Sequence, residues 1–304
     1  MAASPVSAWR FHDHGRVGST GLVRLAEATL ERFRARGIQL PATNRLQGAA
    51  DLIRDSHEQR IPVTRDDPTN AAIVAEAIRD MWDFYLIART LPQERDADTE
   101  GKFKLMLRGA TSAAKDDLST PRDLQFESLV GAVFAMADIP TRPAPPDLGF
   151  TLGGQEWGAA VKRVRSGNQL AKRTTEARLQ LEEENLHGVI VVNVDAFLEG
   201  VPASGAPGEV GRAFEAGVAR LLRLLPDLAK QRSLLGIVAM GRVVGWEFDG
   251  DKPRLLHPWL FKASAFAEDR AARGVVDELF QLLQQRAGAR MDESLRELER
   301  SLTG

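Results

Sequence analysis

The sequence predicts an α/β protein whose sheet is mixed and flanked by helices, preceded by an all-helical module. Three observations carry that expectation. Apolar residues in the first third recur only at helical spacing. Beyond about residue 119, helical patterns alternate with short apolar runs. Among those runs, Gly188-Val189-Ile190-Val191-Val192-Asn193-Val194 is continuous and of the kind buried on both faces in the middle of a sheet. The 304 residues suffice for one large or two ordinary domains, expected here as 1–118 and 119–304.

Thr20 opens a first helix in which Leu22, Leu25, Ala26, Leu30 and Phe33 share a face, and Gly37 closes it. A second helix is expected over Leu46–Ser56. A third runs from Asn70 to Thr90 with Ile73, Val74, Ala77, Ile78, Trp82 and Tyr85 as its apolar positions, and Leu91-Pro92 ends it. Gln93 to Lys102 is dense in charge and reads as a solvated linker or an exposed helix start. After Pro121, Phe126, Leu129, Val130, Val133, Phe134 and Ala137 mark a strongly amphipathic helix. The prolines between Pro140 and Pro146 stop it. Leu148–Leu152 then reads as a strand, Gly153-Gly154 as a turn and Trp157–Val164 as a second strand. A helix over Asn168–Glu184 buries Leu170, Ala177 and Leu181 and leads to the strand from Gly188. Val210–Leu225 is a helix ended by Pro226. Leu234–Met240 and Val243–Phe248 read as a hairpin around Gly241-Arg242, and helices follow over Ser264–Arg286 and Asp292–Leu302. Val275, Val276, Leu279, Phe280, Leu282 and Leu283 on the first of these suit either a dimer interface or the core.

With no cysteine, disulfides, a thiol nucleophile and thiolate metal sites are excluded, so a metal would need oxygen or imidazole ligands. The first residues lack a basic segment followed by an apolar one, and no run approaches the ~18 apolar residues of a membrane span. The expectation is a cytoplasmic protein with no membrane partner. The net charge of −2 means that a nucleic-acid partner would be held by a local basic patch. No phosphate-binding loop, dinucleotide fingerprint or nucleophile elbow occurs. His12-Asp13-His14 is a weak metal clamp, and His187 and His257 are isolated.

The chemistry-bearing residues gather in the second part. Glu127 borders the apolar face of its helix, where an unpaired charge is costly. Asp147 opens a strand after two prolines, and Lys162 lies within the next strand. Carboxylates beside an ammonium suit Mg²⁺ together with a phosphate, since hard cations take oxygen ligands.

This ordered combination resembles the restriction-endonuclease-like, or PD-(D/E)xK, nuclease superfamily. Its pattern is a helix with Glu, a strand opening with Pro-Asp, a strand ending in acid-x-Lys, a helix and a central strand. The corresponding parts are Glu127, Pro146-Asp147, Ala160-Val161-Lys162, the helix from Asn168 and the strand from Gly188, covering Leu124 to Asp195. The resemblance implies a metal-dependent nuclease acting on DNA before other nucleic acids. Glu127, Asp147 and Glu176 would hold Mg²⁺ or Mn²⁺, and Lys162 would stabilise charge on the phosphate.

The chain departs from the pattern at Ala160, where the family carries an acid. Glu156 shares a strand face with Lys162, but six residues at about 3.3 Å each place it roughly 20 Å away unless the strand breaks at Gly158. Glu176 on the following helix matches family members whose acid has moved there. The third reading is a catalytically inactive nuclease fold that binds nucleic acid or a protein partner. Arg163, Arg165, Lys172, Arg173 and Gln180 form the expected nucleic-acid-binding strip. A homodimer, and a protein partner docking on the helical module, stay open.

Overall fold

The structure, a computed structural model, describes residues 19–41, 44–90, 97–111, 120–164, 167–195, 207–223, 234–242, 245–249, 252–256, 259–265 and 270–300. These fall into two compact units, one built on 19–132, 245–256 and 291–300 and the other on 133–242 and 259–290. The expected break at 118/119 is thus replaced by a division inside a helix, and later segments return to the helical unit.

In the helical unit, the periodic apolar residues become α1 (Ser19–Ala35), α2 (Arg45–His57) and α3 (Pro68–Thr90). Leu22, Leu25, Ala26, Leu30 and Phe33 are all buried on α1. Asn44 starts α2, its side chain accepting the Gln47 N–H at 2.8 Å. The charged stretch expected as a linker or an exposed helix start holds the first turns of α4 (Ala97–Met106), whose Phe103 and Met106 turn inward. Next comes α5 (Thr120–Met136), of which residues 120–132 belong to this unit.

A polar network ties α2, α3 and α5 inside the apolar packing. Arg122 Nη1 donates to both Asp80 oxygens at 3.2 Å, and Gln125 Nε2 to Asp83 Oδ2 at 2.8 Å. Arg45 donates to Gln125 Oε1 and lies 3.7 Å from Asp80. Burial pushes the Asp80 carboxyl up, but the Arg45, Arg122 and Arg79 guanidiniums outweigh it and hold the group below its ordinary range. Late segments join the same unit through side chains. The hairpin of β6 (Gly245–Asp249) and β7 (Lys252–Leu256) places Trp246 Nε1 2.8 Å from the Ala71 carbonyl on α3. Arg89 donates to Ser294 Oγ and Glu297 Oε2, both at 2.8 Å.

The second unit is a six-stranded mixed sheet flanked by helices. Its strands are β1 (Thr141–Pro143), β2 (Leu148–Leu152), β3 (Gln155–Arg163), β4 (Gly188–Asn193), β5 (Leu234–Arg242) and β8 (Trp259–Ala265), in the order β1-β2-β3-β4-β5-β8. The first three are joined antiparallel, β3, β4 and β5 run parallel, and β8 returns antiparallel beside β5. Parallel neighbours require crossovers, which α6 (Gly167–Glu183) and α7 (Pro207–Arg223) provide. Their apolar stripes pack with Ala160, Ile190, Val192, Ile237 and Ala239 in one core. Asn193 apart, β4 is the continuous apolar strand expected, and every residue of it is buried.

Glycines set the local geometry at two places. Gly153 and Gly154 turn the β2–β3 hairpin at φ +60° and +77°. At Gly188, a Cβ would stand 1.9 Å from the Gly158 carbonyl oxygen, so the strand start must be bare for β3 and β4 to pair.

The expected hairpin around Gly241-Arg242 does not form. Residues 234–242 are one strand between β4 and β8, while 245–249 pairs with 252–256. Ser264 likewise lies within a strand instead of starting a helix, and α8 (Arg270–Leu282) begins later. A π-helical turn (Leu283–Ala287) links α8 to α9 (Gly288–Arg300). Val276, Leu279, Phe280 and Leu283 are buried, which assigns that stripe to the core. No described helix is long and apolar enough to cross a membrane.

Candidate functional site on the second unit

The β2–β3 hairpin brings the two central residues together. Leu148 pairs with Ala159, so Asp147, one residue before β2, stands beside the end of β3. Its Oδ2 accepts the Val161 N–H at 2.7 Å and Lys162 Nζ at 2.8 Å. Both side chains are nearly buried, at 12% and 10% exposure. The backbone bond fixes the carboxylate, and the carboxylate fixes the ammonium. Lys162 lies two residues from Ala160 and therefore on the same strand face, the one covered by the α6–α7 core. Arg163 points to the opposite face.

The other candidates are placed differently. Glu176, half-buried on α6, meets Arg173 Nη1 at 3.3 Å and Lys172 Nζ at 3.9 Å, both on its own helix. Glu156 pairs with Arg142 at 2.7 Å and is exposed. Because β3 runs unbroken through Gly158, the roughly 20 Å between Glu156 and Lys162 stands, and Glu156 is no substitute for the missing acid. Glu127 lies half-buried on the part of α5 that belongs to the helical unit. Lys172 is well exposed and Arg173 partly so, whereas the Gln180 Oε1 atom is buried and accepts no hydrogen bond from the described residues. Arg165, His12, Asp13, His14 and His257 lie outside the described residues.

Two polar arrangements at the sheet were not anticipated. At the ends of β4 and β5, Asp195 accepts the Arg242 N–H at 2.7 Å and its Nη2 at 3.0 Å, while Asn193 Nδ2 donates to the same carboxylate. Lys262 on β8 pairs with Glu215 on α7. Polar residues closing or interrupting apolar strands were the available signal for both. No family model matches the chain, and no curated protein or solved structure matches it significantly.

Among the described residues, no group of three or more His, Asp or Glu is placed to hold a metal ion. The donor set at the hairpin is a single carboxylate, Asp147, with Ala160 contributing none. Mg²⁺ typically takes one or two carboxylates and completes its shell with water and substrate phosphate. One carboxylate completes that shell only with oxygen ligands from a substrate, and the described residues do not form an all-protein cage.

Proposed function

We propose that the α/β unit is a metal-dependent nuclease domain of restriction-endonuclease-like fold, hydrolysing phosphodiester bonds in DNA. The carrying observation is the Asp147–Lys162 pair at the end of the β2–β3 hairpin, anchored by the Val161 N–H. The order helix, hairpin, helix, parallel strand around it supports the same reading. Asp147 is the residue that would hold Mg²⁺ or Mn²⁺. The cation would supply neutralisation of the scissile phosphate and a lowered pKa for the attacking water. Lys162, held in place by Asp147, orients on the phosphate and stabilises the charge that builds there. Lys172 and Arg173 supply backbone attraction that carries no sequence information. Glu176 holds those two cations along α6.

A second reading is favoured by one specific observation: Ala160 is completely buried where the family carries an acid. In that reading, the same fold binds nucleic acid without cutting it.

Cleavage of plasmid DNA, single-stranded DNA and RNA with Mg²⁺ or Mn²⁺ separates the two. The expected result is metal-dependent cutting of DNA that Asp147→Ala and Lys162→Ala abolish and Glu176→Ala reduces without abolishing. Loss in Glu176→Ala as complete as in the other two would make Glu176 a cation ligand. Salt-sensitive binding with no cutting of any substrate would establish the non-catalytic module.

A further inference from the structure

Within the helical unit, the end of α1 and the start of α2 border an open cleft of about 600 Å³, lined by residues 34, 37–41 and 47. That volume lies within the ~300–1,000 Å³ typical of small-ligand sites. Local hydrogen bonds fix both walls. Gly37, at φ +73°, donates to the Arg34 carbonyl at 2.8 Å and Ile38 to the Phe33 carbonyl at 3.0 Å, the paired bonds that end a helix on a left-handed glycine. On the other side, Asn44 caps α2 through the Gln47 N–H.

Three kinds of group line the cleft. Ile38, Leu40 and Pro41 supply an apolar wall, with Ile38 buried and Leu40 half-buried. Gln39 and Gln47 supply carboxamides, each a donor and an acceptor side by side. Gln47 Nε2 donates to Asp51 Oδ1 at 3.0 Å, which holds its carboxamide in place. The Gln39 side chain makes no hydrogen bond to any described residue. Arg34 supplies the charge: it is exposed and meets no acid among the described residues. Between Glu31 and Asp51 the chain holds Arg32, Arg34, Arg36 and Arg45 and no acid. Arg32 lies over the Tyr85 ring at 5.1 Å and Arg45 is buried beside Asp80, so Arg34 is the cation that the cleft presents.

A cation, paired donors and acceptors, and an apolar wall match the three parts of a nucleotide: phosphate, base edge and base face. An inorganic anion would use Arg34 alone. A peptide is held chiefly through its main chain at a strand edge or through helix anchors along an apolar groove, and the lining has neither. We propose that this cleft binds a nucleotide, with Arg34 on the phosphate and Gln39 and Gln47 on the base. A free nucleotide and one unit of a single strand carry the same groups, whereas the bases of a duplex are stacked and do not enter a cleft. Neither Asp147 nor Lys162 takes part, so the site stands or falls apart from the nuclease reading.

The test uses the full-length protein in EDTA, so that nothing is cut, with Lys172→Ala and Arg173→Ala in the background to remove phosphate attraction by α6. Fluorescence anisotropy follows labelled single-stranded homopolymers of each base, and calorimetry follows the free nucleoside monophosphates. Arg34→Ala is expected to weaken binding roughly 10- to 100-fold for every base. For the strands, it also makes the plot of log affinity against log salt shallower by about 0.7, the share of one single-strand phosphate. Gln39→Ala keeps the salt slope and narrows the differences among bases. Arg24→Ala, a cation of the same helix paired with Glu27, changes neither. Strand binding with this pattern identifies a strand unit as the ligand, and monophosphate binding with it identifies a free nucleotide; either upholds the proposal.

A loss confined to Arg34→Ala, with no difference among bases, reduces the cleft to an anion site and overturns the proposal. Arg34-dependent binding of a polyglutamate peptide without nucleotide binding makes it a peptide site and overturns it too. Nucleotide binding that both variants leave unchanged, or no binding of strand or monophosphate, has the same consequence. In each case the nuclease reading still rests on cleavage by the wild type and its Asp147→Ala and Lys162→Ala variants.

Discussion

Asp147 serves two donors through one oxygen, and this decides how its loss differs from the loss of its partner. Breaking a buried ion pair from one side leaves an uncompensated charge, at a cost of about 3–5 kcal/mol. Lys162→Met leaves Asp147 bound to the Val161 N–H and belongs at the lower end of that range. Asp147→Ala strands both Lys162 Nζ and a peptide N–H, and a buried unsatisfied donor adds about 1–3 kcal/mol. The Asp147→Ala/Lys162→Met double variant should recover part of the loss, since no buried charge remains. Urea denaturation of the two single variants and the double variant checks the ranking. Additive losses would show that the pair is solvated in solution. The other acids of the region differ at this same scale: Glu156 and Glu176 each answer a neighbouring cation at a partly exposed position, where such pairs contribute little.

At the scale of elements, the contact between β3 and β4 rests on the absence of a side chain. Gly188→Ala places a methyl group against backbone, which cannot rotate away, so the strands must separate or shift register. The expected cost is at least the ~1–3 kcal/mol of ordinary overpacking. Gly158→Ala meets chiefly the end of the Leu181 side chain at 2.8 Å and should cost less, because that chain has other rotamers. Thermal melts of the two variants give the comparison, and equal costs would refute the backbone argument. What was legible in the sequence divides along similar lines. Helices α1, α3 and α6 and strand β4 carry their periodicity within the element itself, and so does the hairpin that joins Asp147 to Lys162. Strand β8 was not legible, because it pairs with β5 only across the separate β6–β7 excursion and carries Lys262 and Ser264 on a buried surface. Local pattern assigns Ser264 to a helix, and long-range pairing overrides it. The partners of Glu176 were legible as a spacing on its helix, but which partner it would face required the fold.

Across the molecule, the two units keep their charges in different ways, and acid should separate them. The helical unit is joined through Asp80, whose carboxylate lies between Arg45 and Arg122 on neighbouring helices. Its folded pKa lies below the unfolded value of about 3.9. A group so depressed contributes stability that is fully present above the unfolded value and is lost as pH falls through the folded one. The helical unit should therefore weaken on acidification below about pH 4, when protonation of Asp80 removes the carboxylate that lies between Arg45 and Arg122. Asp80→Asn removes that charge at every pH. It should cost about 3–5 kcal/mol at neutral pH and flatten the acid dependence. Urea unfolding by circular dichroism at pH 7 and at several values below 4 measures both effects. If the variant instead kept the wild-type slope with pH, the acid sensitivity would have to originate outside the Asp80 network.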